Sequence, residues 1–167
     1  KEGEAYMNTF DENIASNYGD SRIFSSNFNN AETVPVKTLD QLFYDNIKEK
    51  ESIKIIKCDA QGQELNIILG SKKIIDHYKP YLYFENDDIH TSKALIEIIK
   101  NMGYILFWHL PPLYNPDNFL KNTKNIFPKI VSCNMLCIHR STKIKLNEIW
   151  QKFEITDSDY HPYKKKT

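Results

Sequence analysis

The segment from Ile53 to His109 alternates three strand patterns with two helical patterns, and this alternation constrains the fold most strongly. The strand patterns are IKIIKCD, PYLYFEN and ILFWHL; the helical patterns are QELNIILGSKKII and HTSKALIEIIKNMG. Strand–helix–strand units with short connections favour parallel strands joined by right-handed crossovers. The connection after the third strand is long and has no helical pattern, so a fourth strand, IVSCNMLCIH, is expected to enter the sheet antiparallel. The sequence therefore predicts an α/β fold.

The flanking residues carry weaker patterns. We interpret residues 1–31 as an irregular lead-in with a short strand near Ala5–Thr9, residues 32–140 as the α/β core, and residues 141–167 as a tail. VPVKTLDQL is expected to form an edge strand containing Pro35, followed by Thr38 as the N-cap of a helix over Leu39–Ile47. A chain of 167 residues suits a single domain with one core.

Composition excludes some classes of partner. The chain has 22 basic and 22 acidic residues, which gives no support for a nucleic-acid partner. No apolar run approaches the roughly 18 residues that a membrane span needs, and there is no signal peptide, so we predict no membrane partner and a cytoplasmic location. The sequence carries no signal of oligomeric state.

The three cysteines are predicted to be small apolar residues of the core. Cys58, Cys133 and Cys137 lack the spacing of a metal site, and their odd number does not suggest a disulfide framework. No two histidines have the spacing of metal ligands either. We therefore predict no metal site and a reducing compartment.

Each of the three strands ends in a polar side chain, at the edge where open α/β sheets bind their ligands. Asp59 ends the first strand, and it is either a site residue or a cap of the helix that starts near Gln63. Glu85 ends the second strand and is either a general base or a carboxyl group hydrogen-bonded to the backbone. His109 ends the third strand and is either a base or a structural histidine. These three residues are the candidate catalytic groups.

The long loop from Pro111 to Phe127 is a candidate for substrate binding, because loops of this length are usually functional or disordered. Tyr114, Asn115 and Asn118 offer the stacking and hydrogen-bonding groups that hold a sugar or a polar ring. The alternative is that the loop packs across the end of the sheet.

Two further residues are candidates for substrate contact. Asn86 follows Glu85 at the same strand end. Arg22 lies in the sequence Gly-Asp-Ser-Arg, where its guanidinium could meet a phosphate or carboxylate, or where it could lie in a surface turn.

Five segments in order resemble the FkbM family of S-adenosylmethionine-dependent methyltransferases, from about Asn17 to Tyr160: VPVKTLDQL, IKIIKCDAQGQELNIILG, KPYLYFEN, FWHLPPLYNPDNF and NIFPKIVSCNMLCI. The resemblance implies part of a Rossmann-like class I methyltransferase sheet, mostly parallel with an antiparallel last strand. It implies S-adenosylmethionine as cofactor, contacted by Asp59 and Gln61. It also implies methyl transfer to a hydroxyl oxygen of a small-molecule or glycan acceptor, with Asp59 orienting and His109 or Glu85 taking the proton.

The sequence departs from the family in two places. The family reads Lys-x-Asp-x-Glu-Gly at the first strand end, and here Gln61 replaces the glutamate, which keeps hydrogen bonding but loses charge. The glycine-rich turn and the ribose-binding acid that open such domains have no counterpart in this chain. We therefore expect the C-terminal part of a methyltransferase domain that is inactive alone. The alternative is a non-catalytic binding or scaffold remnant of a Rossmann-like fold.

Overall fold

The computed structural model describes residues 2–9, 21–46, 52–144 and 146–164. Its strands are β1 (Gly3–Asn8), β2 (Ile23–Phe24), β3 (Ala31–Val36), β4 (Ile55–Cys58), β5 (Tyr81–Glu85), β6 (Tyr104–His109) and β7 (Asn134–His139). Its helices are α1 (Leu39–Asn46), α2 (Glu64–Leu69), α3 (Lys72–Tyr78), α4 (Ile89–Asn101) and α5 (Glu148–Gln151).

The four predicted strands form one sheet in the order β4-β5-β7-β6. β4 and β5 are parallel, and β7 pairs antiparallel with both β5 and β6. The predicted antiparallel entry of the last strand is confirmed. The expectation of a mostly parallel sheet needs a correction: three strands share a direction, but β7 inserts between two of them, so only one adjacent pair is parallel.

The three-stranded sheet at the start of the chain corrects the interpretation of residues 1–31. β1 pairs antiparallel with β2 and β3 in the order β2-β1-β3, so the described part of this stretch is sheet. The strand predicted near Ala5–Thr9 is present, and Pro35 lies on the edge strand β3 as expected. Thr38 Oγ1 accepts the Gln41 N–H at 3.2 Å, which confirms the predicted N-cap.

The helix predicted over residues 63–75 is divided into α2 and α3 at Gly70 and Ser71. The division has a long-range cause, because the Asp40 carboxylate of α1 accepts the backbone N–H groups of Lys73 at 3.1 Å and Ile74 at 2.9 Å. An acid at this position satisfies the free N–H groups of the first turn of α3. The helix predicted from HTSKALIEIIKNMG, α4, starts earlier than predicted, at Ile89.

The cap of α4 is Asp88, whereas Thr91 or Ser92 was expected. Asp88 Oδ1 accepts the His90 N–H at 2.9 Å. The predicted end of the helix is confirmed, since Gly103 follows it with a φ of 87°. A Cβ at this position would lie 2.9 Å from His139 Nε2, so a larger residue would also have to displace the His139 ring.

The interpretation of residues 141–167 as a tail is wrong for the described part. The Trp108 N–H donates to Phe153 O at 2.9 Å and the Ile155 N–H donates to Leu106 O at 2.8 Å, so this segment extends the sheet beside β6. His161 is buried, and its Nε2 lies 2.9 Å from the carbonyl oxygen of Asn86. Local patterns did not reveal these contacts because they join segments far apart in sequence.

Successive side chains of the four-stranded sheet alternate between two faces. One face packs with α2 and α4 into the core, where Ile96 and Ile99 of α4 meet side chains of the sheet: Cys58, Leu82, Phe84, Leu106, Met135 and Cys137. The other face is only partly covered. It presents the polar strand ends described below.

The cysteines are free and buried, as predicted. Burial raises the pKa of the Cys58 and Cys133 thiols to about 12, which leaves little reactive thiolate near neutral pH. Among the described residues, no helix combines the length and apolarity needed to cross a bilayer.

Candidate active site

The carboxyl ends of β4, β5 and β6 meet at one edge of the four-stranded sheet. Glu85 of β5 lies opposite Asn134 of β7, and Asn134 lies opposite His109 of β6. Cys58, the last residue of β4, pairs with Phe84, the residue before Glu85. Asp59 follows Cys58, so it lies beside Glu85. We call the side chains on the open face at this edge the rim cluster: Lys57, Asp59, Tyr83, Glu85, His109 and Asn134.

Asp59 belongs to the rim cluster and does not cap α2. Its Oδ2 accepts a hydrogen bond from Lys57 Nζ at 2.9 Å. The N-cap position of α2 is Gln63, which makes no side-chain capping bond. The Lys57 hydrogen bond, with smaller contributions from Glu85 and Gln61, holds the pKa of Asp59 below its usual range. The carboxylate is therefore ionised and able to accept further hydrogen bonds.

Glu85 is half-buried beside Asp59. Its Oε2 atom is buried and has no hydrogen-bond partner within the described ranges. Burial, followed by the charges of Asp87 and Asp59, raises the pKa of Glu85 to about 7. Two adjacent carboxylates repel each other, so one of the two carboxyl groups keeps its proton to a higher pH. Glu85 is therefore balanced between acid and base near neutral pH.

The raised pKa of Glu85 predicts that part of the stability depends on pH. The folded protein binds a proton here between about pH 4.5 and 7 while the unfolded chain does not. This contribution is therefore complete below about pH 4.5 and is lost as pH rises through about 7. Glu85→Gln should remove this loss of stability at higher pH. Because the group is half-exposed, solvent screening should reduce the effect to about 1 kcal/mol.

Urea unfolding of the native protein and Glu85→Gln at about pH 5 and about pH 8 measures this effect. We expect the variant to gain stability relative to the native protein at the higher pH. A stability difference that is the same at both pH values would contradict the raised pKa. Comparing the two proteins at each pH cancels the titration of the groups that do not interact with Glu85.

His109 is half-buried, and its Nδ1 lies 2.8 Å from the hydroxyl oxygen of Tyr83. Tyr83 lies two residues before Glu85, so their side chains share a face. If Nδ1 carries the proton and donates to the tyrosine oxygen, Nε2 is free to accept a proton. The ring of Trp150 from α5 lies near that of His109, with centroids 6.3 Å apart, and partly covers this side of the site.

The turn after β4 leaves room for a ligand to lie close to its backbone. Gln61 and Gly62 both have positive φ, 49° and 89°. A Cβ built on Gly62 meets no atom within 4 Å, so the space beside the turn is open. Glu64 Oε1 accepts the Ala60 N–H at 2.9 Å and fixes the turn, which assigns a structural role to this glutamate.

Asn86 and Arg22 do not join the rim cluster. Asn86 is buried, and its Nδ2 donates to Met135 Sδ at 3.1 Å. It lies next to Glu85 on the strand, so its side chain faces the opposite side. Arg22 precedes β2 in the three-stranded sheet, where its backbone N–H donates to Asn8 Oδ1 at 2.7 Å. Their predicted contacts with substrate receive no support from these positions.

The polar side chains of the long loop are engaged within the loop itself. Tyr114 Oη donates to Asn122 O at 2.9 Å, and Asn118 Nδ2 donates to the same carbonyl at 2.8 Å. Asn115 Oδ1 accepts the Asp117 N–H at 2.9 Å. These groups hold the loop together, so substrate binding by Tyr114, Asn115 and Asn118 stays a prediction.

A shallow cleft of about 380 Å³ lies elsewhere, between β6 and the C-terminal segment. Its walls include Trp108 and Tyr160 and none of the rim cluster. The polar strand ends outweigh the shape of this cleft in locating the site, because they place a carboxyl group of raised pKa beside an ionised carboxylate and near an imidazole. The described residues contain no group of three or more His, Cys, Asp or Glu side chains that could hold a metal ion.

Sequence reasoning missed three members of the rim cluster: Lys57, Tyr83 and Asn134. The first two lie two residues before Asp59 and Glu85, so the period of a strand could have identified them. Asn134 opens β7, and its place depends on the insertion of that strand between β5 and β6. No local pattern carries that information.

Comparison with known proteins gives one match. A family model described as "Methyltransferase FkbM domain" matches residues 2–106. The match includes β4, β5 and the turn with Asp59 and Gln61, and it ends within β6. Neither the curated proteins nor the solved structures contain a match.

Proposed function

Because the chain belongs to the FkbM methyltransferase domain family, we propose that its rim cluster is part of a site that transfers a methyl group from S-adenosylmethionine to a hydroxyl oxygen. The acceptor we propose is a small molecule or glycan, such as a sugar or a secondary metabolite. Family membership supports methyl transfer in general. The observation that supports the finer proposal is the Glu85 carboxyl group, which lies beside the ionised Asp59 and has a pKa of about 7. One of its oxygens is buried and has no hydrogen-bond partner among the described residues.

The residues at the end of β4 fit the cofactor. Asp59 is ionised and would accept hydrogen bonds from the ammonium group of the methionine portion. Gln61 and the open space at Gly62 allow the ligand to approach the backbone. When bound, S-adenosylmethionine supplies a methyl group on a positively charged sulfur. The mixed α/β sheet, with its inserted antiparallel strand, fits part of a Rossmann-like methyltransferase fold.

The residues at the ends of β5 and β6 would handle the acceptor. A hydroxyl becomes a stronger nucleophile as a base removes its proton, and a base is most effective when its pKa is near the working pH. Glu85 meets this requirement. His109 would orient the hydroxyl or serve as the base itself, with its ring held by Tyr83. Positioning of the donor and acceptor in line supplies a further part of the rate.

Calorimetric titration with S-adenosylhomocysteine tests the cofactor assignment. We expect saturable binding by the full-length product of the gene. In the full-length protein, Asp59→Asn should weaken binding about tenfold, because it removes a charge-assisted hydrogen bond. Asp76→Asn, which changes an exposed carboxylate on α3, is the matched control and should bind normally.

The outcomes of this titration distinguish the methyltransferase hypothesis from the hypothesis of a non-catalytic scaffold remnant. If the full-length protein does not bind S-adenosylhomocysteine, the remnant is the better description. If the protein binds and Asp59→Asn has the affinity of the control, the rim cluster is not the cofactor site.

A further inference from the structure

The segment 111–133 forms an arm that leaves the rim between β6 and β7. Backbone contacts close its base by joining Pro112 with Val131, Leu113 with Ile130, and Pro111 with Ser132. Because the base is closed, the intervening residues form a loop of their own outside the sheet. The hydrogen bonds of Tyr114 and Asn118 to Asn122 O hold that loop together.

The outer turn of the arm exposes two adjacent apolar side chains. Phe119 is 96% exposed and Leu120 is 83% exposed, and the Lys121 N–H donates to Asn118 O to close the turn around them. Other apolar residues of the arm that are also exposed are Leu113, Ile126, Phe127 and Ile130. A concentration of large apolar side chains on one projecting element marks a surface that another molecule covers.

The charge of the arm is complementary to an anionic surface. It carries Lys121, Lys124 and Lys129 against one acid, Asp117, in a chain whose formal net charge is zero. Lys121 is paired with Asp117 at 2.5 Å. Within the described ranges no acid pairs with Lys124 or Lys129. The arm therefore combines exposed apolar groups with unneutralised cations.

This combination fits an anionic lipid surface better than a folded protein. A protein interface needs directional hydrogen bonds, and the amide side chains of Asn115 and Asn118 are already engaged within the arm. An anionic bilayer needs only apolar groups that enter the boundary of the acyl chains and cations that meet the phosphate headgroups. The sequence-based expectation of no membrane partner rested on the lack of a spanning segment. Docking at the surface requires none.

We infer that the arm docks the protein on an anionic membrane surface, with Phe119 and Leu120 inserted at the headgroup boundary and Lys124 and Lys129 against lipid phosphates. The arm joins His109 to Asn134, both in the rim cluster, so docking holds the candidate active site close to the bilayer. The inference concerns binding to lipid and is independent of methyl transfer.

Co-sedimentation of the full-length protein with vesicles tests the inference. The vesicles contain phosphatidylcholine alone or with about one-third phosphatidylglycerol, at low salt. We expect binding to the anionic vesicles and much weaker binding to the neutral ones. Phe119→Ser/Leu120→Ser should reduce the partition coefficient at least about tenfold, because it removes the inserted apolar groups. Lys124→Gln/Lys129→Gln should reduce it by a similar factor.

Matched controls lie outside the arm. Ile144→Ser/Ile149→Ser removes two exposed apolar side chains, and Lys72→Gln/Lys143→Gln removes two exposed lysines. Both controls should bind vesicles like the native protein. The tip residues are almost fully exposed, so the arm variants should keep the native circular dichroism spectrum.

Failure to bind anionic vesicles would overturn the inference, as would equal binding to neutral vesicles. Equal losses in the arm variants and the controls would also overturn it. Sedimentation velocity supplies another decisive outcome: if the native protein self-associates and Phe119→Ser/Leu120→Ser is monomeric, the arm is an interface between copies of this chain and not a membrane contact.

Discussion

Replacing Glu85 with glutamine is expected to lower the rate of methyl transfer by the full-length enzyme about a hundredfold to a thousandfold. Glutamine has the size and the hydrogen-bonding groups of the carboxyl side chain but cannot accept a proton. The buried Oε2 has no hydrogen-bond partner in the part of the chain that the structure describes, and burial raises the pKa of the group to about 7. The substitution therefore removes a base without removing a hydrogen bond seen among those residues.

The pH dependence of the rate distinguishes this base from a structural acid. With the native enzyme, the rate should rise with pH and level off above an apparent pKa of about 7. Glu85→Gln should remove that rise. His109→Ala should also lower the rate without loss of folding. If Glu85→Gln keeps both the rate and the pH dependence while His109→Ala loses them, His109 is the base and the assignment of Glu85 is wrong.

The same pair of variants tests whether His109 is the base. Unchanged turnover in His109→Ala would exclude the histidine as base and leave Glu85 as the candidate. Circular dichroism of each variant checks the fold, since both side chains lie on the partly covered face of the sheet and contribute little to the core.

Replacing Phe84 with alanine is expected to lower the free energy of unfolding by about 3–5 kcal/mol. Phe84 is fully buried on β5, the strand that lies between β4 and β7. Its ring fills the space between the sheet and the helices of the core, and alanine would leave a cavity there. Urea unfolding monitored by circular dichroism measures the change.

Phe119→Ala is the matched control, because it removes the same atoms from a side chain that is 96% exposed. Its effect should stay within about 0.5 kcal/mol. A loss of less than about 1 kcal/mol for Phe84→Ala would show that β5 is not at the centre of the core. The two substitutions together therefore test whether Phe84 of β5 lies in the core.

The strands and their polar ends could be predicted from the sequence because strand patterns are local. Asp59, Glu85 and His109 each end a short apolar run, and parallel strands bring such ends to one edge. Their roles in catalysis stay predictions. The insertion of β7 depends on pairing between strands that are far apart in the chain. Asp40 divides α2 from α3 through bonds that span more than thirty residues, so no pattern near Gly70 reveals it.

The opposite orientations of Glu85 and Asn86 could have been predicted from the sequence alone. Adjacent residues of a strand point to opposite faces, so Glu85 and Asn86 could not both reach the open face. The structure places Asn86 in the interior and Tyr83 beside His109. The short strand β2 could not be predicted from local sequence, because its two residues form a strand by pairing with β1.

A crystal structure of the full-length protein with bound S-adenosylhomocysteine tests the central proposal most directly. The account predicts that the amino acid end of the ligand contacts the Asp59 carboxylate, with its sulfur at the edge of the sheet where Glu85 and His109 lie. Density for the ligand in the cleft beside Trp108 and Tyr160, with the rim cluster vacant, would contradict the account.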